Sequence, residues 1–513
     1  MSFPRTAVVV ALGLSATFLA RADVTLAPLF TDHAVLQRDK PIPVWGIADA
    51  GEKVTVTFAR QTRTATAGAD GAWKVSLDKL SAESKGADLT VAGKNTLVLH
   101  DVVIGEVWLC SGQSNMEFTV SRARDAAKEI AAANFPLIRH VKIRNTVAAD
   151  PATTVKTTGW QSASPETVGA FTAVGYFFAH DIFQKLNIPI GLVHSSWGGT
   201  PVESWMPAPA LARDPRFRVV AERWEKTLAD YPDKKAEYAP VLAEWTAADA
   251  AAKAQGDAEH AAWLKAHPKP RAPRGPGDSW TPSGLYNGMI APLAPYAIRG
   301  ALWYQGESNA DHAAEYQPLF AAMITAWRKS FGQGPFPFFW VNLANYKSPS
   351  DSTGQTYAFL REAQSQTLDL ENTGQALAID IGNPDDIHPT NKQDVGHRLS
   401  LLAKNRVYGY QGEDTGPTFA NVRLGGAALF ATFSHSAGGL TIHNATEVAD
   451  VEVAGDDKVF HPARVVVSSS IMIASSPDVK QPIALRYAWK NAPNANLYNG
   501  AGLPAVPFRS DNW

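Results

Sequence analysis

The chain has 513 residues, with 47 Lys and Arg against 49 Asp and Glu and a net charge of −2; no basic stripe stands out, which argues against a nucleic-acid partner. With 45% hydrophobic and 19% charged residues it is globular rather than disordered, and its length calls for about two to four domains. Cys110 is the only cysteine, so an intramolecular disulfide is excluded and a buried packing role is expected for that thiol.

Residues 1–22 read as a secretory signal. Arg5 supplies the positive end, Thr6 to Ala20 the short apolar run, and Ala20-Arg21-Ala22 the cleavage site, which leaves Asp23 as the mature N-terminus. The run is short for a membrane anchor and Arg21 follows it. No later segment is long and apolar enough to span a bilayer, so an exported protein is expected, periplasmic or extracellular.

Residues 23–104 predict a small antiparallel β-domain. Val54, Val56 and Phe58 alternate, as do Trp73, Val75 and Leu77, and Asp70-Gly71 is read as a hairpin turn. From 105 the pattern becomes strands alternating with helices. Strands are expected over 102–110, 188–195, 298–304, 336–343 and 375–381. Val174, Phe177, Phe178 and Ile182 mark one helix, and Tyr316, Leu319, Phe320, Met323 and Trp327 another. The alternation predicts an α/β domain, a parallel sheet with helices on both faces, over 105–205 and 281–410. Residues 206–280 read as a helical insertion, a lid or a solvated excursion. Phe217, Val220, Ala221, Trp224 and Leu228 form one amphipathic helix; an Ala-rich stretch at 242–265 suggests a second, before a Pro/Gly-rich loop from His267 to Gly277. After 411 a C-terminal β-domain is expected, with strand regions at 422–433, 463–473 and 483–489.

Ligands of open parallel sheets bind outside the carboxyl ends of the strands. Four polar stretches fall at that edge: Gly112-Gln113-Ser114-Asn115, Ser195-Ser196-Trp197-Gly198-Gly199-Thr200, Gln305-Gly306-Glu307-Ser308-Asn309, and Asp385-Asp386-Ile387-His388-Pro389. Together they suit acyl transfer. Ser114 supplies a nucleophile, His388 a base, and a nearby acid can orient the imidazole. The Ser114 amide, a Gly198 or Gly199 amide and the Asn309 side chain can stabilise an oxyanion. The glycine elbow of α/β-hydrolases is absent, because Met116 stands in place of its second glycine. The histidines form no His-Glu-x-x-His pattern, so no metal site is expected.

The ordered set resembles the SGNH hydrolases, and more closely the sialate O-acetylesterase-like family of carbohydrate esterases. Gly-Gln-Ser-Asn-Met, Ser-Ser-Trp-Gly-Gly-Thr-Pro-Val-Glu-Ser-Trp, Trp-Tyr-Gln-Gly-Glu-Ser-Asn and Asp-Ile-His-Pro carry the likeness. So do Leu485 to Trp489, Asn496 to Asn499 and Gly502 to Ala505 near the end. The resemblance implies an SGNH-type, flavodoxin-like sheet between two β-domains and hydrolysis of sugar O-acetyl esters without metal or cofactor. It also implies Ser114 as nucleophile, His388 as base, and Asn309 with Gly198 or Gly199 in the oxyanion hole. The usual Asp-x-x-His spacing selects Asp385 as the acid, with Asp386 the alternative. Gln113, Gln305 and Glu307 are assigned to substrate, although turn hydrogen bonds account for Gln113 equally well, and a buried partner for the loop amides is the preferred reading of Glu307. His194 reads as a structural histidine and His312 as a surface one. The sugar and the oligomeric state are open; no glycosidase pair accompanies Glu307.

Overall fold

The computed structural model describes residues 23–513, and the secretory segment read over 1–22 lies outside them. The molecule is organised around one 17-residue strand, β1 (Thr96–Gly112). Its first half pairs antiparallel with Glu83–Ala92, and Val35–Gln37 runs parallel to Val103–Gly105. Its second half enters the central sheet. Exposed and half-buried positions alternate at the start of the strand and give way to unbroken burial from Val102 to Gly112. That change reflects a sheet with one wet face becoming a sheet covered on both.

The remaining central strands are β2 (Phe135–Lys142), β3 (Gln161–Ala163), β4 (Ile190–Ser196), β5 (Gly300–Tyr304), β6 (Phe338–Asn342) and β7 (Thr373–Leu377). Their order is β3-β2-β4-β1-β5-β6-β7, parallel except for edge strand β3. All five expected strands are present. β2 was not anticipated, because Arg139, His140 and Lys142 interrupt its apolar pattern, yet Arg139 and His140 are buried.

Four helices cover this sheet: α1 (Ala173–Leu186), α2 (Ala313–Phe331), α3 (Thr356–Gln366) and α4 (Lys392–Arg406). Trp108 of β1 meets Phe178 of α1 edge-on at 5.0 Å, and Cys110, two residues on, lies against Gly175 of the same helix. Trp303 of β5, aligned with Ser111 one residue beyond Cys110, packs on Phe320 and Trp327 of α2. The pleat thus sends alternate residues to helices on opposite faces. Each fully buried side chain of this size contributes ~1.5–3 kcal/mol. Cys110 is buried, as expected, and burial pushes its thiol up, away from reactivity.

Three sequence expectations need correction. Asp70-Gly71 does not close a hairpin between paired strands. Gln61–Thr66 pairs with Lys53–Phe58 through a turn at Ala59 and Arg60 (φ 46° and 65°), whereas Ala72–Leu77 pairs with Ile42–Ile47. Asp70-Gly71 instead passes the chain from one sheet to the other. The regions at 422–433 and 463–473 are each split, giving hairpins Thr418–Gly425/Ala428–Ser434 and Arg464–Ser468/Ile471–Ser475, because Gly426 and Ser469 take left-handed turns. The insertion's helices are Arg218–Lys253, 36 residues long, and Asp257–Ala266. The first continues through Pro232 and Pro240 and is largely solvent-exposed beyond its first turns.

The C-terminal region braces the central sheet. Buried Arg361 of α3 donates to the carbonyls of Leu343, Ala344, Lys490 and Asn491. Tyr498 donates to Asp380, which in turn holds Arg398 of α4.

Candidate active site

β1 ends at Gly112, whose φ of +132° and close approach to the Tyr304 carbonyl leave no room for a Cβ. The chain then turns into one helical turn, Ser114–Glu117. Thr172 at the start of α1 fixes that turn by donating to the Met116 carbonyl at 2.6 Å, while the Ala173 amide takes the Phe118 carbonyl. Ser114 is thereby presented half-buried at the carboxyl edge of the parallel strands, its amide first in the turn and free of an intrahelical partner.

His388 reaches the same point from the loop after β7. Its Nε2 lies 2.8 Å from Ser114 Oγ. Burial lowers the His388 pKa below the ordinary 6.5, helped by the Lys392 and Arg122 charges and opposed by Asp386. The imidazole is therefore neutral, as a base must be, down to mildly acid pH.

Asp385, selected by the motif spacing, faces elsewhere: its carboxylate bonds Lys347 at 2.6 Å and is well exposed. Asp386 is the carboxylate beside the ring, with Oδ1 at 3.8 Å from Nδ1 while accepting the His388 backbone amide at 2.8 Å. The tight Asx turn explains the difference, since it points residue 386, not 385, back at the histidine. Replacing Asp386 by Asn is expected to lower kcat/KM about tenfold and move its acid limb to still lower pH, because the charge that raises the His388 pKa is gone. Asp385→Asn should do neither. Profiles of kcat/KM against pH for both variants check this, and the wild-type limb should lie below pH 6.5.

Of the two glycines, Gly198 lies against Ser114. A Cβ there would sit 3.2 Å from Ser114 Cβ, whereas one on Gly199 meets nothing within 4 Å. The Gly198 amide donates to Glu117 Oε2 at 2.9 Å, and Glu117 Oε1 lies 3.3 Å from Lys142 Nζ. A carboxylate from the nucleophile's own turn thus holds this candidate oxyanion donor. Asn309 is oriented from behind: its Oδ1 accepts from the Val202 amide and Gln305 Nε2, and its Nδ2 donates to Glu203 at 2.9 Å.

Gln113 and Gln305, assigned to substrate, turn into the protein instead, and Glu307 does so too, in keeping with the buried-partner reading preferred for it rather than the substrate one. Gln113 and Gln305 are almost fully buried. Gln113 Oε1 accepts from the Gly306 and Ser308 amides, while Gln305 bonds Thr200, Asn309 and Tyr316. Glu307 points inward to Asn115 Nδ2 at 2.6 Å, and burial raises its pKa.

Asn115 is the knot of the site. Besides Glu307, its Nδ2 reaches the Ile387 carbonyl at 3.0 Å, and its Oδ1 accepts from Lys392 Nζ at 2.6 Å. Lys392, which the sequence reading missed, is completely buried between the Phe118 and Tyr304 rings. A lysine at a helix start is common; only its position just after the His388 loop could have drawn notice. His194 is structural as expected. It lies 2.6 Å from Ser196 Oγ and 3.2 Å from buried His140, and burial keeps both rings neutral. His312 is exposed, at the rim of a cavity beside Ser308.

A serine hydroxyl within hydrogen-bond distance of a histidine, at the edge of a parallel sheet, is an arrangement suited to hydrolysis, and comparison with known proteins makes the chain a carboxylic ester hydrolase. The chain belongs to the carbohydrate esterase, sialic acid-specific acetylesterase family, whose profile matches residues 104–242 and 273–403. The sialate O-acetylesterase of Rattus norvegicus is 28% identical over 540 residues, spanning 94% of this chain and 93% of its own. That of Homo sapiens is 27% identical, with 94% and 91% covered. The crystal structure of a carbohydrate acetylesterase from Xanthomonas citri is 37% identical and superposes with a TM-score of 0.80, covering 96% of this chain and all of the other. The profile's gap at 243–272 falls on the projecting helices of the insertion.

Proposed function

We propose that this protein is an exported esterase that removes O-acetyl groups from carbohydrates through an acetyl-Ser114 intermediate, on an SGNH-type, flavodoxin-like sheet flanked by two β-domains. Its substrates are acetylated sialic acids or acetylated hemicelluloses. The observation that carries the reading is the 2.8 Å approach of His388 Nε2 to Ser114 Oγ.

In the first half-reaction Ser114 Oγ attacks the acetyl carbonyl carbon and His388 Nε2 takes its proton. The carbonyl oxygen becomes an oxyanion facing the Ser114 amide, the Asn309 Nδ2 and the Gly198 amide, which Glu117 must release. Collapse breaks the bond to the sugar oxygen, which leaves with the proton from His388. Water then adds to the acetyl-enzyme, gives its proton to the same nitrogen, and acetate departs as Ser114 is reprotonated. Membership in an acetylesterase family supports the acetyl group as the one transferred.

The test is acetate release from acetylated sialic acids, acetylated xylan and acetylated xyloglucan. Release from at least one is expected, and the best substrate names the sugar. No release from any, with sugar binding retained, would mean a binding protein and overturn the reading.

A further inference from the structure

The insertion returns to the site through residues 271–282, whose positions are fixed by the long helix. Tyr238 donates to the Pro270 carbonyl at 3.1 Å, and Gly275 lies so close against the Tyr231 ring that a Cβ would overlap it. Trp280 then bonds the Gly199 carbonyl through Nε1 at 2.6 Å. Between this segment and the sheet edge lies a cavity of about 140 Å³, lined among others by Glu203, Arg223, Trp224, Arg274, Trp280 and Ser308. It adjoins the candidate oxyanion groups on two sides, through Gly199–Trp280 and through Asn309–Glu203.

Two guanidinium groups line this cavity, in opposite states. Arg223 is fully engaged, its two Nη atoms forked onto Glu315 at 2.7 and 2.8 Å. The guanidinium carbon of Arg274 lies over the Trp280 indole, 3.1 Å from the ring centroid. Among the described residues its nitrogens make no hydrogen bond, and no carboxylate lies within ion-pair distance. Burial lowers its pKa while the carboxylates of Asp278 and Glu203 act on it only from further off. A guanidinium over an aromatic face keeps its N–H groups in its own plane, directed outward from its edge, where they match the two oxygens of a carboxylate.

We propose that Arg274 is a specificity-determining residue: lying over Trp280, it receives the carboxylate of an acidic sugar while the acetyl group of the same glycan meets Ser114. This deepens the esterase reading and rests on it. The carboxylate can belong to the acetylated residue, as in a sialic acid, or to a neighbouring uronic acid, as in glucuronoxylan. Neutral glycans enter without that contact. The Trp280 bond to Gly199 couples the filled subsite to the loop that carries the Gly198 amide.

The experiment compares wild type with Arg274→Met and Arg274→Lys on four esters: O-acetylated sialic acid, acetylated glucuronoxylan, acetylated xyloglucan and p-nitrophenyl acetate. Arg274→Met is expected to lower the ratio of kcat/KM on acidic to neutral substrates by about 10- to 100-fold, chiefly through KM, with Lys in between. A fall confined to sialic acid assigns the carboxylate to the acetylated sugar; one confined to glucuronoxylan assigns it to a neighbour. An unchanged ratio, including an equal loss on all four esters, overturns the proposal. Independently of turnover, calorimetry with free sialic acid and free glucuronic acid compares Ser114→Ala with Ser114→Ala/Arg274→Met. Binding that does not weaken in the double variant for either acid overturns the subsite even if no ester is hydrolysed, whereas loss of all turnover with intact acid binding overturns only the esterase reading.

Discussion

Ser114→Ala should lower kcat at least ~10³-fold, His388→Ala by a similar factor, and the double variant no further, since the two groups act as one unit. The reason is geometric. Ser114 Oγ and His388 Nε2 are 2.8 Å apart, and burial lowers the His388 pKa, which favours the neutral imidazole that the proposed base requires. Losing either member leaves only oxyanion stabilisation and substrate positioning. Stability should hardly move with Ser114→Ala, about 0.5 kcal/mol or less, because Ser114 is half-buried and its hydroxyl bonds only His388 among the described residues. Steady-state acetate release with thermal unfolding of each variant makes the check. A Ser114→Ala enzyme within tenfold of wild type would remove the serine from the chemistry, and a double variant much slower than either single one would mean independent roles.

The central α/β order was legible because strands buried on both faces are written as continuous apolar runs, and their ends as polar, Gly-rich turns. β2 was not, since its Arg139 and His140 look like surface residues until Arg139 is seen bonded to the His33 and Asp101 carbonyls and His140 stacked on Phe171. The left-handed turns at Ala59, Arg60 and Ser469 carry none of the usual Gly or Asn signals. In the site, sequence spacing pointed to the residues but not to their directions. Asp385 and Asp386 are adjacent in the chain and face different partners. Gln113, Gln305 and Glu307 belong to the same stretches as Ser114 and Asn309, yet turn inward to hold those two in place. Arg274 and Trp280 carried no motif at all; only the fold brings the end of the insertion onto Gly199.

Lys392→Met should lower kcat by about 10²-fold with little loss of stability. Lys392 does not reach Ser114; it holds Asn115, which ties the Ser114 turn to Glu307 and to the Ile387 carbonyl beside His388. Releasing Asn115 loosens the loops that carry Ser114 and His388, and a misplacement of about 1 Å is enough for a loss of that size. The fold does not gain from the lysine's charge. Burial, only partly offset by Glu307, lowers the Lys392 pKa from 10.5 to about 7. Between those values the unfolded chain binds the proton more tightly, so this group's contribution to stability rises with pH across that window, and its buried charge opposes folding in full below pH 7. Methionine removes that penalty but leaves Asn115 Oδ1 without its donor, a cost of about 1–3 kcal/mol. The difference in Tm between Lys392→Met and wild type should therefore favour methionine most near pH 6 and shrink towards pH 9. The KM of p-nitrophenyl acetate should stay within a few-fold while its acylation rate falls. A variant that keeps the wild-type acylation rate would show that Asn115 is held without Lys392. A Tm difference independent of pH would show that the lysine stays charged in the fold throughout this range, as it is in the unfolded chain.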